Sequence, residues 1–306
     1  MISTRRIRRG QRILSEAPLI RQSRFAEDKV TMSQYHKLSD DQKQQVLALH
    51  NVRPHWGPVM GVLWTNAIPL RGTEHDVGLF ATASRINHAC LPNTVPSWNN
   101  NLGRLAIHAA RDIEEGEEIT SMYMDKLTCY DERQRYVREL LGFNCTCRLC
   151  LLPVEERRHT DSHIRSINST KERLSSVVNS GTSYTGDLQL VRRLLWLYRQ
   201  ESIADWRPAR AYQYAFRIAA QHGHRYRAVI FAQRSADIFA VVEGEDSPET
   251  IKMRGWVTKA RRMLKQDESA GPRYGERRPP EEEDEELENW LFSNTGGSMS
   301  SVDMFS

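Results

Sequence analysis

Cys145, Cys147 and Cys150 stand within six residues, and no other feature of the chain narrows its folding choices as much. Three thiols at C-x-C-x2-C spacing can face one tetrahedral zinc ion, which asks for a fourth sulfur or imidazole from elsewhere in the chain. Cys90, Cys129, His88 and His108 are the candidates for that place. A site with four protein ligands leaves no position for water, so this Zn2+ is expected to be structural. The 306 residues hold five cysteines in all, an odd number that suits metal ligation in a reducing compartment better than a disulfide framework.

Charge and hydropathy divide the chain further. No run of about 18 apolar residues occurs, so no membrane span is expected. The opening MISTRRIRRG has no apolar stretch behind its arginines, which argues against secretion and for the nucleus or cytoplasm. The formal net charge of +4 hides an asymmetry: residues 271–306 hold three basic and nine acidic side chains, leaving +10 on the first 270. A basic body favours acidic partners or is a solvated surface, with no sequence-specific nucleic-acid contact expected. The Pro-Pro step, acidic block and Gly/Ser-rich end of residues 271–306 predict a disordered acidic tail. Within it Trp290, Leu291 and Phe292 read as an incidental apolar cluster or a short docking motif.

Hydrophobic periodicity gives an α+β chain. Strands are expected at residues 12–18, 102–109 and 117–123, the last after the turn Glu115-Gly116. Ser39 with Gln42 forms a capping box ahead of Val46 and Leu47. Residues 131–141 form an amphipathic run stopped by Gly142. From about residue 160 the pattern is helical only, over 187–204, 209–221, 226–243 and a last helix with Ser247 as cap and Pro248 at its first position. The short joins imply an all-α helical hairpin array, tetratricopeptide-like in packing but without a clean 34-residue repeat. The domain reading is therefore 1–152, a helical domain 153–270, and the tail 271–306.

A second dense segment is Arg85-Ile86-Asn87-His88-Ala89-Cys90-Leu91-Pro92-Asn93. Its polar residues follow neither the helix nor the strand period, so it is a loop. Taken alone it could be a metal loop, a Cys-His nucleophile pair or a structural turn, and Cys90 is most economically used as the missing zinc ligand.

Three segments in the same order carry a resemblance. Residues 85–93 resemble the R-x-x-N-H-S-C-x-P-N signature of SET-domain protein lysine methyltransferases. Gly116-Glu117-Glu118-Ile119-Thr120 with Tyr123 is similar to their G-E-E-[LI]-T-x-x-Y segment, and Cys145, Cys147 and Cys150 resemble the post-SET cysteines. Residues 7–19 are similar to the strand pair that opens the domain. The match spans about residues 1–152. Thr65-Asn66-Ala67-Ile68-Pro69-Leu70 and the helical second half are most similar to fungal SET proteins akin to the SET and MYND family, here without a MYND finger.

The resemblance implies a SET domain of short strands with a knot-like cofactor loop and a post-SET zinc site. It implies that Asn66, Asn87, His88, Tyr123 and Phe143 contact S-adenosyl-L-methionine, that Tyr123 is the catalytic tyrosine at the floor of a lysine channel, and that Cys90 joins Cys145, Cys147 and Cys150 on the metal. The implied partner is a protein lysine, on a histone tail or another protein, with chromatin association through such a substrate.

Departures from the pattern accompany the match. The Gly-x-Gly turn that usually precedes the first strands has no counterpart in Met1-Ile2-Ser3-Thr4, Ala89 replaces a serine, and Leu141 and Ile68 stand where close relatives often carry aromatics. The missing turn motivates a second reading, a weak or inactive SET module that acts as a zinc-containing interaction scaffold. A third, a nucleic-acid-binding zinc protein, rests on the basic body alone and predicts salt-dependent binding.

Overall fold

The computed structural model describes residues 1–124, 126–180, 184–269, 279–280 and 285–293. These fall into two units, Met1–Asp161 with Val241–Pro248, and Ser162–Ala240 with the residues from Glu249 onward. The division lies inside a helix rather than at residue 152, and a short returning segment belongs to the first unit.

In the first unit, β1 (Arg12–Glu16), β7 (Arg104–Ala109) and β6 (Thr94–Asn99) form one antiparallel sheet, and β2 (Ile20–Ser23), β4 (Asp76–Leu79) and β3 (Ile68–Pro69) a second. β5 (Asn87–His88) and β8 (Thr120–Ser121) form a parallel pair. Helices α1 (Asp28–His36), α2 (Asp40–Leu47) and α3 (Pro58–Asn66) lie between β2 and β3, and α4 (Tyr130–Leu141) follows β8. Two expectations change. The strand expected over 117–123 is divided between two partners: residues 117–119 bridge to residues 1–3, with the Ser3 N–H donating to the Glu117 carbonyl at 2.9 Å and the Ile119 N–H to the Met1 carbonyl at 2.8 Å, and Thr120–Ser121 pair with β5. Within the expected opening pair, residues 7–19, Ile7 bridges to Ile113 and β1 pairs with β7, while β2 begins after it at Ile20 and pairs with β4.

Local signals hold where they are chemical. The Ser39–Gln42 capping box is fully formed, with Gln42 N–H donating to Ser39 Oγ at 3.3 Å and Ser39 N–H to Gln42 Oε1 at 3.0 Å. α4 ends on Gly142 at φ 75°, a left-handed conformation that a side chain would strain. That turn sets the direction in which residues 143–150 leave the helix.

β7 is buried on both faces. Leu105, Ile107 and Ala109 join Trp98, Phe80 and Ile86 in one apolar cluster, while His108 on the other face is buried and polar. Arg12 Nε donates to His108 Nε2 at 3.1 Å, Arg12 also pairs with Asp246, and Asn99 Nδ2 donates to the Asp246 carbonyl at 2.7 Å. These bonds explain why 241–248 groups with the first unit. His108 Nδ1 is buried without a partner. Burial, then the Arg12 cation, push the His108 pKa down from 6.5 to about 4, against a smaller opposing effect of Asp246. Its stabilising contribution is therefore complete above pH 6.5 and is lost as pH falls toward 4. At about 1.4 kcal/mol per unit this is on the order of 3 kcal/mol. Denaturant midpoints measured at pH 7 and pH 4 should show that loss, and His108→Gln should flatten it.

The second unit is helical: most of α5 (Val154–Ser180), then α6 (Tyr184–Gln200), α7 (Arg207–Gln221), α8 (Arg225–Glu243, its last residues counted with the first unit) and α9 (Pro248–Ser269), followed by α10 (Glu285–Leu291). Pro248 opens α9 as its sequence requires. The disordered tail expected over 271–306 is corrected in part, because Leu291 and Phe292 at the end of α10 are buried. Two large apolar side chains give this stretch burial that the acidic residues before it cannot provide. The remainder of 271–306, apart from 279–280, lies outside the described residues. No helix among them is long and apolar enough to cross a membrane.

Candidate active site and metal centre

The parallel β5–β8 pair brings the two dense sequence segments together. Asn87 is opposite Thr120 and His88 opposite Ser121, and the Ala89 N–H extends the pairing to the Ser121 carbonyl at 3.0 Å. Asn93 fastens the far end of the loop. Its Nδ2 donates to the Glu118 carbonyl at 2.8 Å and Glu117 Oε1 at 3.0 Å, while its Oδ1 accepts from the Thr120 N–H at 2.8 Å. Buried Asn93 thus makes the loop and the 117–120 segment one rigid piece.

At the centre, the Sγ atoms of Cys90, Cys145, Cys147 and Cys150 all lie within 4.8 Å of one another. Cys90 Sγ is 3.9 Å from Cys145 Sγ and 3.6 Å from Cys150 Sγ. Zn–S bonds of about 2.3 Å in a tetrahedron place sulfurs about 3.8 Å apart, so the donor set and its spacing suit zinc. Cys145 is held by Gln134 on α4, whose Nε2 donates to the Cys145 carbonyl at 2.8 Å and whose Oε1 accepts its N–H at 3.1 Å. Hydrogen bonding from Cys145 leads the lowering of the Cys147 and Cys150 thiols, Cys150 to about 7, while bonds to Cys145, Cys147 and Cys150 push Cys90 up. A divalent cation held by the four sulfurs would displace these protons.

Of the other candidate ligands, His108 on β7 is engaged by Arg12 of β1, and Cys129 precedes α4 with its Sγ toward the Asp161 carbonyl at 3.6 Å. His88 touches the cluster from outside. Its Nε2 is 3.4 Å from Cys90 Sγ, and its Nδ1 accepts the Tyr123 N–H at 3.1 Å. The accepting Nδ1 puts the ring proton on Nε2, aimed at the sulfur. The His88 side chain is thus spent between Cys90 and Tyr123, and burial keeps its pKa below the usual value.

Arg133 is a residue that sequence reasoning missed. Its side chain is 1% exposed, its Nε points to Cys150 Sγ at 3.5 Å, and its Nη1 reaches the Thr128 carbonyl at 2.9 Å and Asp161 Oδ1 at 3.3 Å. Zinc with four thiolates carries a net −2, and a buried guanidinium offsets part of it. In the sequence Arg133 is one of several arginines on an amphipathic helix, with no sign that it faces inward.

Tyr123 is 39% exposed. Its hydroxyl donates to the Ile86 carbonyl at 2.7 Å, and its ring lies 5.2 Å from that of His88. Burial of its inner part, with Glu118 nearby, raises its pKa. The Phe143 ring, one residue after the Gly142 turn, is 6.3 Å from the His88 ring. Asn87 is exposed, and its Nδ2 donates to Glu118 Oε1 at 2.7 Å. Glu118 therefore places a carboxylate beside Asn87 and Tyr123, a role its position in the segment 116–120 did not announce. Asn66 stands apart, at the end of α3. Its Nδ2 donates to the carbonyls of His50 at 2.6 Å and Val62 at 2.7 Å, and its carbonyl accepts from Ser84 Oγ at 3.0 Å, just before the 85–93 loop.

The SET domain family model matches residues 1–124. The chain is 32% identical over 317 aligned positions to the histone-lysine N-methyltransferase set5 of Schizosaccharomyces pombe, covering 100% of this chain and 93% of that protein. It is 40% identical over 77 residues to the human histone-lysine N-methyltransferase SMYD3, 25% of this chain and 18% of that protein. It is 39% identical over 84 residues to the mouse protein-lysine N-trimethyltransferase SMYD5, 26% of this chain and 20% of that protein.

Proposed function

The chain belongs to the SET-domain family and is a protein-lysine N-methyltransferase, and from that premise we propose that it methylates a protein lysine with S-adenosylmethionine as donor and is pinned by one structural zinc ion. The observation that carries the reading is the fastening of Tyr123 to the four-cysteine cluster through His88, within one loop pair.

Cys90, Cys145, Cys147 and Cys150 are the residues that would hold the zinc, with Arg133 as the buried counter-charge. One such ion ties residues 145–150 to the loop at 85–93, and so fixes Phe143 near His88 and Tyr123. The residues around Tyr123 fit a sulfonium-bearing adenosine cofactor: the Glu118 carboxylate suits a positive charge and Phe143 offers an aromatic face. When bound, S-adenosylmethionine supplies an electrophilic methyl group on a sulfonium. Asn87, the His88 backbone, Phe143 and Asn66 through its oxygen are the proposed contacts, and the parallel β5–β8 pair supports a knot-like crossing at that place.

Methyl transfer to an amine is an in-line displacement, so alignment and exclusion of water do most of the work. Lysine must be neutral to attack, and its ordinary pKa is about 10.4. A phenol such as that of Tyr123 accepts a hydrogen bond from the amine and orients its lone pair, and burial of the amine on transfer would disfavour the ammonium. The substrate is proposed to be a histone tail or another protein in the nucleus or cytoplasm, and the helical unit is proposed to be a tetratricopeptide-like hairpin array.

Purified chain incubated with labelled S-adenosylmethionine should transfer label to a histone mixture or to a cell extract. Absence of transfer to any protein, together with absence of cofactor binding by calorimetry, overturns the enzymatic assignment in favour of the scaffold.

A further inference from the structure

Asn87 and Asn66 have their amide hydrogens engaged inside the protein. Glu118 Oε1 accepts from Asn87 Nδ2 at 2.7 Å, and the carbonyls of His50 and Val62 accept from Asn66 Nδ2 at 2.6 Å and 2.7 Å. An ionised carboxylate and a backbone carbonyl can only accept, so each bond fixes which end of the amide points away from it. Both side chains therefore turn Oδ1 away from these partners, and among the described residues no donor is bonded to either oxygen.

Glu118 stands on a base firm enough to impose this orientation. Its backbone bridges to Ile2 on one side, and its carbonyl accepts from Asn93 Nδ2 at 2.8 Å on the other. Asn87 is opposite Thr120 in the parallel β5–β8 pair. Glu118, two residues before Thr120, shares its face of the extended segment, and the 2.7 Å bond joins it diagonally to Asn87. Both side chains are exposed, which leaves the amide oxygen of Asn87 open to a ligand. The carboxylate beside that oxygen favours a charged N–H donor over a neutral one.

We propose that Glu118 is a positioning residue of the methyl-transfer site: it holds the Asn87 amide so that its oxygen receives the protonated amino group of the methionine part of the cofactor. This role rests on the proposed contact of Asn87 with S-adenosylmethionine. An amide without Glu118 offers a donor as readily as an acceptor, and a donor facing an ammonium group is repelled. The rival role for Glu118 acts through Tyr123, whose pKa it raises in addition to burial, and that role moves kcat rather than cofactor affinity.

Calorimetry with S-adenosylhomocysteine, together with kcat and cofactor KM from labelled transfer, separates the two on the full chain. Glu118→Ala is expected to weaken S-adenosylhomocysteine and raise the cofactor KM by about tenfold, with kcat within about twofold and the thermal midpoint unchanged. Asn87→Asp sets a second carboxylate against Glu118 and should weaken binding at least as much. Combining Asn87→Asp with Glu118→Gln should restore it, because the new amide donates to the new carboxylate and an oxygen again faces the ligand. An analogue of S-adenosylhomocysteine without the amino group should bind the unmodified chain and Glu118→Ala equally. A double variant as weak as Asn87→Asp, a Glu118→Ala penalty that persists on the analogue, or a lower kcat at unchanged affinity overturns the proposal. Weaker binding by Asn87→Ala with no effect of Glu118→Ala overturns it while leaving the Asn87 contact standing. No effect of Asn87→Ala removes that contact and this role together, and no affinity in the unmodified chain removes the cofactor reading and this role with it.

Discussion

Cys147→Ser is expected to lower the zinc content from one ion per chain to none. Structural zinc sites contribute about 10–16 kcal/mol of apparent binding free energy in small zinc-finger peptides near neutral pH, and that energy is folding energy. Here the loss concentrates on residues 143–150, which reach the loop at 85–93 through the cluster. Arg133, whose side chain is 1% exposed, would lose the thiolate charge beside its Nε and keep Asp161 as its charged partner, so the cost falls mainly on the metal cluster itself. Metal analysis of purified protein, with limited proteolysis between residues 141 and 153, measures both consequences. Unmodified protein that is folded and metal-free would contradict the ligand assignment.

Tyr123→Phe should lower methyl transfer by about 100-fold or more while leaving the fold in place. Among the described residues the hydroxyl donates to the Ile86 carbonyl, and removing such a bond costs about 1 kcal/mol. The stability change is therefore small. Catalysis is different, because misalignment of an in-line displacement by about 1 Å can cost about 100-fold. Single-turnover transfer and cofactor binding should be measured together. Retained binding with slow transfer assigns the hydroxyl to orientation of the amine, and near-normal transfer removes Tyr123 from the chemistry.

The two kinds of inference succeeded at different places for physical reasons. The Ser39 capping box, the Gly142 stop and Pro248 at the start of α9 are encoded within a few residues, so reading them needs no knowledge of the rest of the chain. The strand expected over 117–123 changes partner from residues 1–3 to β5 at Thr120, because which segment a strand pairs with is set by distant chain and not by its own period. Arg133 reads as one arginine among several on an amphipathic helix, and Glu118 only as one position of the segment 116–120. Their importance arises from neighbours 17 and 31 positions away, Cys150 and Asn87. His88 was recognised, yet which atoms its ring engages depends on where Cys90 and Tyr123 come to rest.

Sequence by itself determined the three-thiol metal half-site, the order of the signature segments, the change from mixed to helical structure and the acidic character of the end of the chain. Tertiary structure decided how those pieces are used. It brings Cys90 from 55 residues away to complete the sulfur tetrahedron, buries Arg133 against it, joins the cluster to Tyr123 through His88, and buries Leu291 and Phe292 at the end of α10. Spacing along a chain fixes which donors can share a site, because backbone geometry is local. Burial, charge compensation and the docking of a short acidic helix are set by surfaces that exist only once distant segments have packed.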